Sequence, residues 1–393
     1  MKKLLIASAA LAMVAGTAQA QSSVTVYGLI DMGYTDAQND FTNSSGTVTR
    51  NNVKSTGNGD GALATSRFGV RGSEDLGKGL KANFVLEYDL IDAGVGGNGA
   101  QNSATSANTT QDAATNTAGF GARYSWVGLE DAKLGQLRLG RQEQSIHSVV
   151  VAGSAGMANN VTGAIYSAGA TDISTNTAGI RPHNVFVNRA VTYISPAFNG
   201  FRVELQTASQ EIDTGAAQPA KATETGGSLK YAAGKLAIAY GMAETKAQTT
   251  TLNTGNVKGE QQAISATYDF GVARVFALNT ERKNTTAGAM TGKTKATELG
   301  VQVPMGKTLL WASAFDGSRD GGADASTAIT TTAHFATRNG DVSGYQVGAR
   351  YDLSKRTALY GIYGKQEVKA TTGAASGAKL ESDALAFGVR HSF

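Results

Sequence analysis

The chain of 393 residues contains no cysteine. A disulfide framework and a thiolate metal site are both excluded, so stability must come from an extended sheet or core. Proline is scarce at 4, against 49 glycines. Proline deletes a ladder hydrogen bond, so this imbalance suits a chain made mostly of strands and tight turns. There are four histidines, His147, His183, His334 and His391. None stands in a metal-spaced motif or beside a nucleophile elbow, and the "GSAG" around Ser154 lacks the strand–turn–helix context that an elbow needs. Nothing here calls for a catalytic residue, a metal or a cofactor. Charge of one sign is also lacking. The formal charge is +4, and +2 without Lys2 and Lys3, too little to argue for a nucleic-acid partner.

Long apolar runs are absent beyond the first twenty residues. "MKKLLIASAALAMVAGTAQA" has a basic start, an apolar stretch of about 14 residues and an Ala18-Gln19-Ala20 site. That stretch is short of the roughly 20 residues a membrane helix needs. The pattern is a secretory signal peptide over 1–20, with the mature chain 21–393 beginning at Gln21.

What is present is a period of two. Alternating segments recur from "VTVYGLIDMGY" (24–34) through "SRFGVRGSED" (66–75), "LKANFVLEYDL" (80–90), "GARYSWVGLED" (121–131) and "QLRLGRQ" (136–142) to "ESDALAFGVRHSF" (381–393). About sixteen can be counted, each near the 9–11 residues of a tilted transmembrane strand. Short turns such as "LGKG", "DAKLG" and "PMGK" alternate with long connections rich in Gly, Ser, Thr and Asn, at about 36–62, 92–119, 143–185, 211–224, 246–260, 283–293, 318–340 and 368–379. This arrangement predicts antiparallel hairpins with every tight turn at one end. Leu80, Ala82, Phe84, Leu86 and Tyr88 share one face, and Lys81, Asn83, Glu87 and Asp89 the other. An apolar face outside, a polar face inside and aromatics near strand ends describe a transmembrane β-barrel. Unpaired backbone groups in hydrocarbon cost several kcal/mol each, so the last strand must pair with the first. Phe393, Phe387 and Leu385 then take the lipid-facing register.

The motifs "QSSVTVYGLID", "SRFGVRGSEDLGKGLKANFVLE", "WVGLEDAKLGQLRLGRQ", "YDLSKRTALYG" and "GVRHSF" occur in order across both halves of the chain. With them the chain resembles a Gram-negative outer-membrane general-diffusion porin of the betaproteobacterial and neisserial type. The resemblance implies a sixteen-stranded antiparallel barrel with an infolded third extracellular loop, a homotrimer, and Phe393 read by the outer-membrane assembly machinery. Its surroundings would be outer-membrane lipid and lipopolysaccharide, and its cargo small hydrophilic solutes and ions.

In a diffusion channel, width and rings of charge discriminate. Arg67 alternates with Phe68 and Val70, which places it inward together with Arg71. Arg123 alternates with Tyr124 and Trp126, which would leave those two aromatics facing lipid. The resemblance places a basic cluster on one constriction wall, and Arg67, Arg123 and Arg181 fall on its motifs. Arg141 in "LGRQ" is a fourth candidate whose face is ambiguous. Glu87 is inward by alternation, and Asp31 is a further acidic candidate. The third long connection offers only Glu143 and Asp172, and it lacks the "PEFG"-like segment of many enterobacterial porins. Several arginines against few carboxylates predict an anion-preferring pore. A substrate-specific outer-membrane channel is the alternative. Such channels stack an aromatic track along the lumen, whereas Tyr and Trp are expected mostly on the lipid face here. Protein exported and processed in its host should carry Gln21 at its N-terminus, which intact-mass measurement of the outer-membrane form checks.

Overall fold

The computed structural model describes residues 22–56, 61–91, 119–167, 183–212, 220–248, 256–321, 339–371 and 376–393. The chain forms one antiparallel sheet of β1 (Ser23–Thr42), β2 (Val48–Thr56), β3 (Arg67–Gly77), β4 (Leu80–Ile91), β5 (Gly119–Asp131), β6 (Gly135–Glu143), β7 (Phe186–Ile194), β8 (Phe201–Ile212), β9 (Ala220–Ala233), β10 (Leu236–Gln248), β11 (Val257–Asp269), β12 (Arg274–Thr286), β13 (Ala289–Met305), β14 (Thr308–Asp320), β15 (Gly340–Asp352), β16 (Thr357–Ala370) and β17 (Lys379–Ser392). A short helix, α1 (His147–Ala152), follows β6.

β1 closes the sheet. Its first part pairs with β3, from Ser23↔Ser73 to Leu29↔Arg67. From Leu29 onward it pairs with β17, up to Thr42↔Lys379. The closed wall therefore has sixteen strands, β1 and β3–β17. β2 is an additional strand that forms a hairpin with the upper part of β1. Phe393 lies beyond β17, yet its N–H donates to the Gly28 carbonyl and its carbonyl accepts from the Gly28 N–H, both at 3.1 Å. Gln21, the expected partner at this rim, lies outside the described residues.

The sheet has two faces because the side-chain period is two. On β1, Val24, Val26, Ile30 and Met32 point outward and are exposed, while Leu29, Asp31 and Thr35 are buried inside. On β17, Leu385, Phe387, Val389 and Phe393 are outward and Ala384 and Ala386 inward. Tyr193, Phe201, Tyr231, Tyr268 and Tyr351 gather toward the short-turn end, where the rings of Phe201 and Tyr231 meet at a tilt with 4.6 Å between centroids. Amphipathic rings at that level form the girdle expected at a membrane–water boundary.

Two stretches differ from the sequence reading. The connection at 283–293 is not a long loop. β12 continues to Thr286, β13 starts at Ala289, and Ala287 (φ 49°) and Gly288 (φ 84°) make a two-residue turn. Within 36–62, β1 continues to Thr42 and β2 follows. The physical reason is the same in both. Beyond the membrane, a strand has water on its outer side, so polar Thr, Asn and Lys replace the apolar alternation while the ladder goes on.

The third long connection is described over 144–167 and from 183 onward. Residues 144–167 lie against inner-face side chains of β8 to β16. Ser145 N–H donates to Gln206 at 3.0 Å, Gln144 to Glu224 at 2.9 Å, and Ile165 N–H to Glu298 at 2.6 Å. Gln302 donates to the Ala155 carbonyl at 2.6 Å, and Gln346 to that of Val161 at 2.8 Å. Ile146, Val149, Val150 and Ile165 are fully buried against Ala239, Ala263, Leu278 and Ala296. At Gly364 an added Cβ would lie 1.7 Å from the Thr162 carbonyl oxygen, so only glycine admits this approach.

The seam between the chain ends yields a direct test. A Cβ on Gly28 would sit 2.2 Å from the Phe393 ring. Gly28→Val should displace that ring and lower the yield of heat-resistant folded barrel on gel electrophoresis. Gly77→Ala should act differently: nothing surrounds that turn position, but its φ of 85° confines the effect to local backbone strain.

Candidate channel lining

The inner wall from β15 through β17 and β1 to β6 collects most of the charge predicted from the sequence. β3 turns Arg67 and Arg71 inward, opposite Leu29 and Thr25 of β1. Across the ladder Arg67 lies in register with Asp89 of β4, without an ion pair between them, and Gly69 with Glu87. β17 adds Arg390 opposite Asp31, and β15 adds Arg350 opposite Tyr360. Arg67, Arg390 and Arg350 therefore form a row on alternate strands of the wall, β3, β17 and β15, with Arg67 and Arg350 both acting electrostatically on Arg390. Arg67 and Arg390 make no ion pair among the described residues, and Arg390 Nε has no hydrogen-bond partner. Arg71 lies over the Tyr27 ring at 5.1 Å. A recess of about 400 Å³ opens here, lined by Tyr27, Arg67, Glu87, Tyr124, Glu143 and Arg390 among others.

Arg123 reaches the same place by a different route. A β-bulge puts Glu87 opposite Tyr124 and Tyr88 opposite Ala122, so Arg123 is the extra residue. The bulge breaks the alternation. Arg123 and Tyr124 both point inward, and Trp126 follows them, lying under Arg138 at 4.5 Å. The expected lipid-facing position of Tyr124 and Trp126 is thereby corrected. Both tryptophans are inward, since Trp311 is buried and donates to Gln346 at 3.2 Å. Arg123 donates to Glu87 at 2.7 Å and to Asp89 at 3.0 Å. Its guanidinium also lies 5.0 Å from the Phe186 ring centroid. It is an ion-paired wall element whose charge two carboxylates offset.

The carboxylates are equally occupied. Glu87 also accepts from the Tyr27 hydroxyl at 2.9 Å. Asp31 is fully buried. It accepts from the Tyr360 hydroxyl at 2.6 Å and the Ala64 N–H at 2.7 Å, and so ties the segment 61–66 to the inner wall. Glu143 accepts from the Tyr124 hydroxyl and lies 3.7 Å from His147. Arg141 sits at a register shift between β6 and β7. It donates to the Ala122 carbonyl and to Asn188, both at 2.7 Å, and lies 4.9 Å from the Phe186 ring centroid. Arg181 and Asp172 lie outside the described residues. Arg390 and Arg350 are not among the constriction residues expected from the sequence. In "GVRHSF", alternation against outward Val389 already carried the signal for Arg390.

A closed sheet with an apolar exterior and a charged interior defines a transmembrane barrel channel. A family model described as Gram-negative porin matches residues 7–371. The chain is 30% identical over 371 residues to outer membrane porin protein 32 of Delftia acidovorans, covering 92% of this chain and 88% of that one. Its structure is similar to an anion-selective porin from Comamonas acidovorans, with a TM-score of 0.66 at 24% identity over 95% of this chain and 100% of that one. It is also similar to OmpT of Vibrio cholerae solved in its trimer form, with a TM-score of 0.59 at 13% identity over 95% and 99%. The chain belongs to the Gram-negative porin family. It is an outer-membrane channel for passive diffusion, and the porins it resembles are channels rather than enzymes.

The Arg123 cluster predicts a stability effect. Arg123→Met leaves Glu87 and Asp89 without their shared cation and should cost about 3 kcal/mol of unfolding free energy. Adding Glu87→Gln and Asp89→Asn should restore most of it. Equilibrium urea unfolding in lipid vesicles measures both.

Proposed function

We propose that the pore prefers anions and that Arg67, Arg71 and Arg390 set this preference on one wall of its narrow zone. The supporting observation is the imbalance of engagement. Glu87, Asp89, Asp31 and Glu143 are all taken up by internal partners. Arg67 and Arg390 have no ion pair among the described residues, and Arg71 rests on an aromatic ring. Arginine stays protonated at any physiological pH, so this field is fixed. In a narrow lumen it is screened less than at an open surface. Arg123, in contrast, contributes structure more than net field, and Arg141 is occupied with Ala122 and Asn188. The segment 144–167, held to the opposite wall, narrows the passage that this field spans.

A non-specific channel fits better than a substrate-specific one. Inward Trp126 is covered by Arg138, Tyr27 by Arg71, and Trp311 lies behind Asn159 and Gln346. No continuous aromatic track is left open to a solute among the described residues. The mature chain, cut before Gln21, works as a homotrimer. The flat outer face of Val24, Val26, Gly28 and Ile30 supports close approach of neighbouring walls. Phe393, held in the lipid-facing register, is the segment the assembly machinery reads.

In planar bilayers under a salt gradient, the wild-type reversal potential should have the sign of anion permeation and shrink in high salt. Arg67→Glu with Arg390→Glu should reverse it. Arg123→Met with Glu87→Gln removes one charge of each sign and should leave the sign unchanged. A wild-type pore that prefers cations would sink the assignment.

A further inference from the structure

The division of β1 between its neighbours leaves a gap along one edge. On that edge β1 pairs with β3 up to Leu29↔Arg67, and with β2 only from Tyr34↔Thr56. Asp31 lies in the gap, and a side chain there takes the place of the ladder. The Ser66 hydroxyl accepts from the Asp31 N–H at 2.9 Å and donates to the Asp31 carbonyl at 3.0 Å. Buried backbone groups need partners, and one hydroxyl satisfies both of these. Just before Ser66 the chain runs inside the lumen instead of continuing the wall. Ala62 and Leu63 are buried against Tyr360 and Ile362 of β16 and Val161 of the third connection.

Segment 61–66 is therefore a second infolded piece, and two sets of contacts hold it. Asp31 accepts from the Ala64 N–H at 2.7 Å on one oxygen and from the Tyr360 hydroxyl at 2.6 Å on the other. Asn160, at the far reach of segment 144–167, donates from its backbone N–H to the Ala62 carbonyl and from Nδ2 to the Gly61 carbonyl, both at 2.9 Å. Beside this join, Gln346 of β15 donates to the Val161 and Thr162 carbonyls at 2.8 and 3.1 Å. The two pieces line successive stretches of the inner wall. Segment 144–167 runs along it from β8 to β16, and segment 61–66 from β16 to β1. Where they meet they complete a collar. Among the described residues, the arc of wall left facing it is β3–β6, which carries Arg67, Arg71 and Arg123.

We infer that the join between Asn160 and residues 61–62 fixes the exclusion size of the channel, with Asp31, Ser66 and Asn160 as its positioning residues. Width discriminates among solutes in a diffusion pore, and neither infolded piece alone covers the wall from β8 to β1. The join pins the free reach of each piece to the other, so the bore stays narrow only while it holds. Asp31 is fully buried and both its oxygens are engaged, so it presents no charge directly to a solute. Its part is anchorage. An asparagine could do the same, since its oxygen accepts from the Ala64 N–H and its amide donates to Tyr360, whose hydroxyl accepts as well as donates.

Single-channel recording of the outer-membrane protein in planar bilayers, with neutral polyethylene glycols of graded size, tests this independently of the sign of the ion preference. Asp31→Ala with Asn160→Ala should raise the conductance about twofold and admit larger polymers. Asp31→Asn should leave conductance, polymer cut-off and salt-gradient reversal potential as in wild type. A shifted reversal potential in Asp31→Asn would make Asp31 a field-setting charge and overturn its anchoring role. Because the chain has no cysteine, Ala62→Cys with Asn160→Cys supplies a reversible lock at the join itself. A disulfide spans Cα atoms roughly 4.4–6.8 Å apart, a separation suited to hydrogen-bonded backbones. The oxidised pair should conduct like wild type, and the reduced pair, which lacks the Asn160 amide, should conduct more. If the alanine variant does not fold, the cysteine pair decides alone. Failure to cross-link in the folded barrel overturns the inference. So does an oxidised pore that conducts well below wild type, or a folded alanine variant with wild-type conductance and cut-off.

Discussion

A backbone N–H or C=O left unpaired in hydrocarbon costs several kcal/mol, and no water is present to relieve it. The structure depends on that constraint. A sheet of this width would expose two full edges, so β1 must meet both β3 and β17, and it divides its length to do so. The bond pair between Gly28 and Phe393 is the last rung of that closure. Glycine is used there because the neighbouring ring occupies the space of any side chain.

Closure separates two environments, and charge follows the separation. Outside, apolar side chains face lipid up to a belt of ion pairs. Inside, carboxylates and arginines face a polar lumen with walls of low dielectric. Most inner carboxylates near β1–β6 are held by hydroxyls, backbone N–H groups or Arg123. Such groups are oriented and partly neutralised, whereas Arg67 and Arg390 have no ion pair among the described residues. The bulge at Arg123 shows how one inserted residue changes this balance. It brings Tyr124 into the lumen as well, and Tyr124 in turn occupies Glu143.

The packed segment 144–167 obeys the same rule from the opposite side. It places apolar Val149, Val150 and Ile165 against a wall with polar residues, and satisfies much of that wall through Gln206, Glu224, Glu298 and Gln346. The Oγ atoms of Ser228 and Ser313 and both amide atoms of Gln261 have no hydrogen-bond partner beneath it. Buried polar groups of this kind lower the net stability of a docked segment.

The barrel was legible in the sequence because membrane strands repeat with a period of two and because lipid tolerates no other spanning sheet. All sixteen wall strands correspond to segments visible in the alternation, and Arg67, Arg71 and Glu87 were placed inward by the same pattern. Where water replaces lipid, alternation loses its meaning, and there β2 and the 286–289 turn were not visible. Where a bulge resets the period, parity failed, as at Tyr124 and Trp126. Which carboxylate meets which arginine could not be read along one strand. Asp31 meets Tyr360 across 329 positions. Sequence alone determined that this chain would close into a membrane barrel with charges inside, because that depends on local periodicity. Only the tertiary structure decided which of those charges remain unpaired, because pairing depends on register between strands distant in the chain.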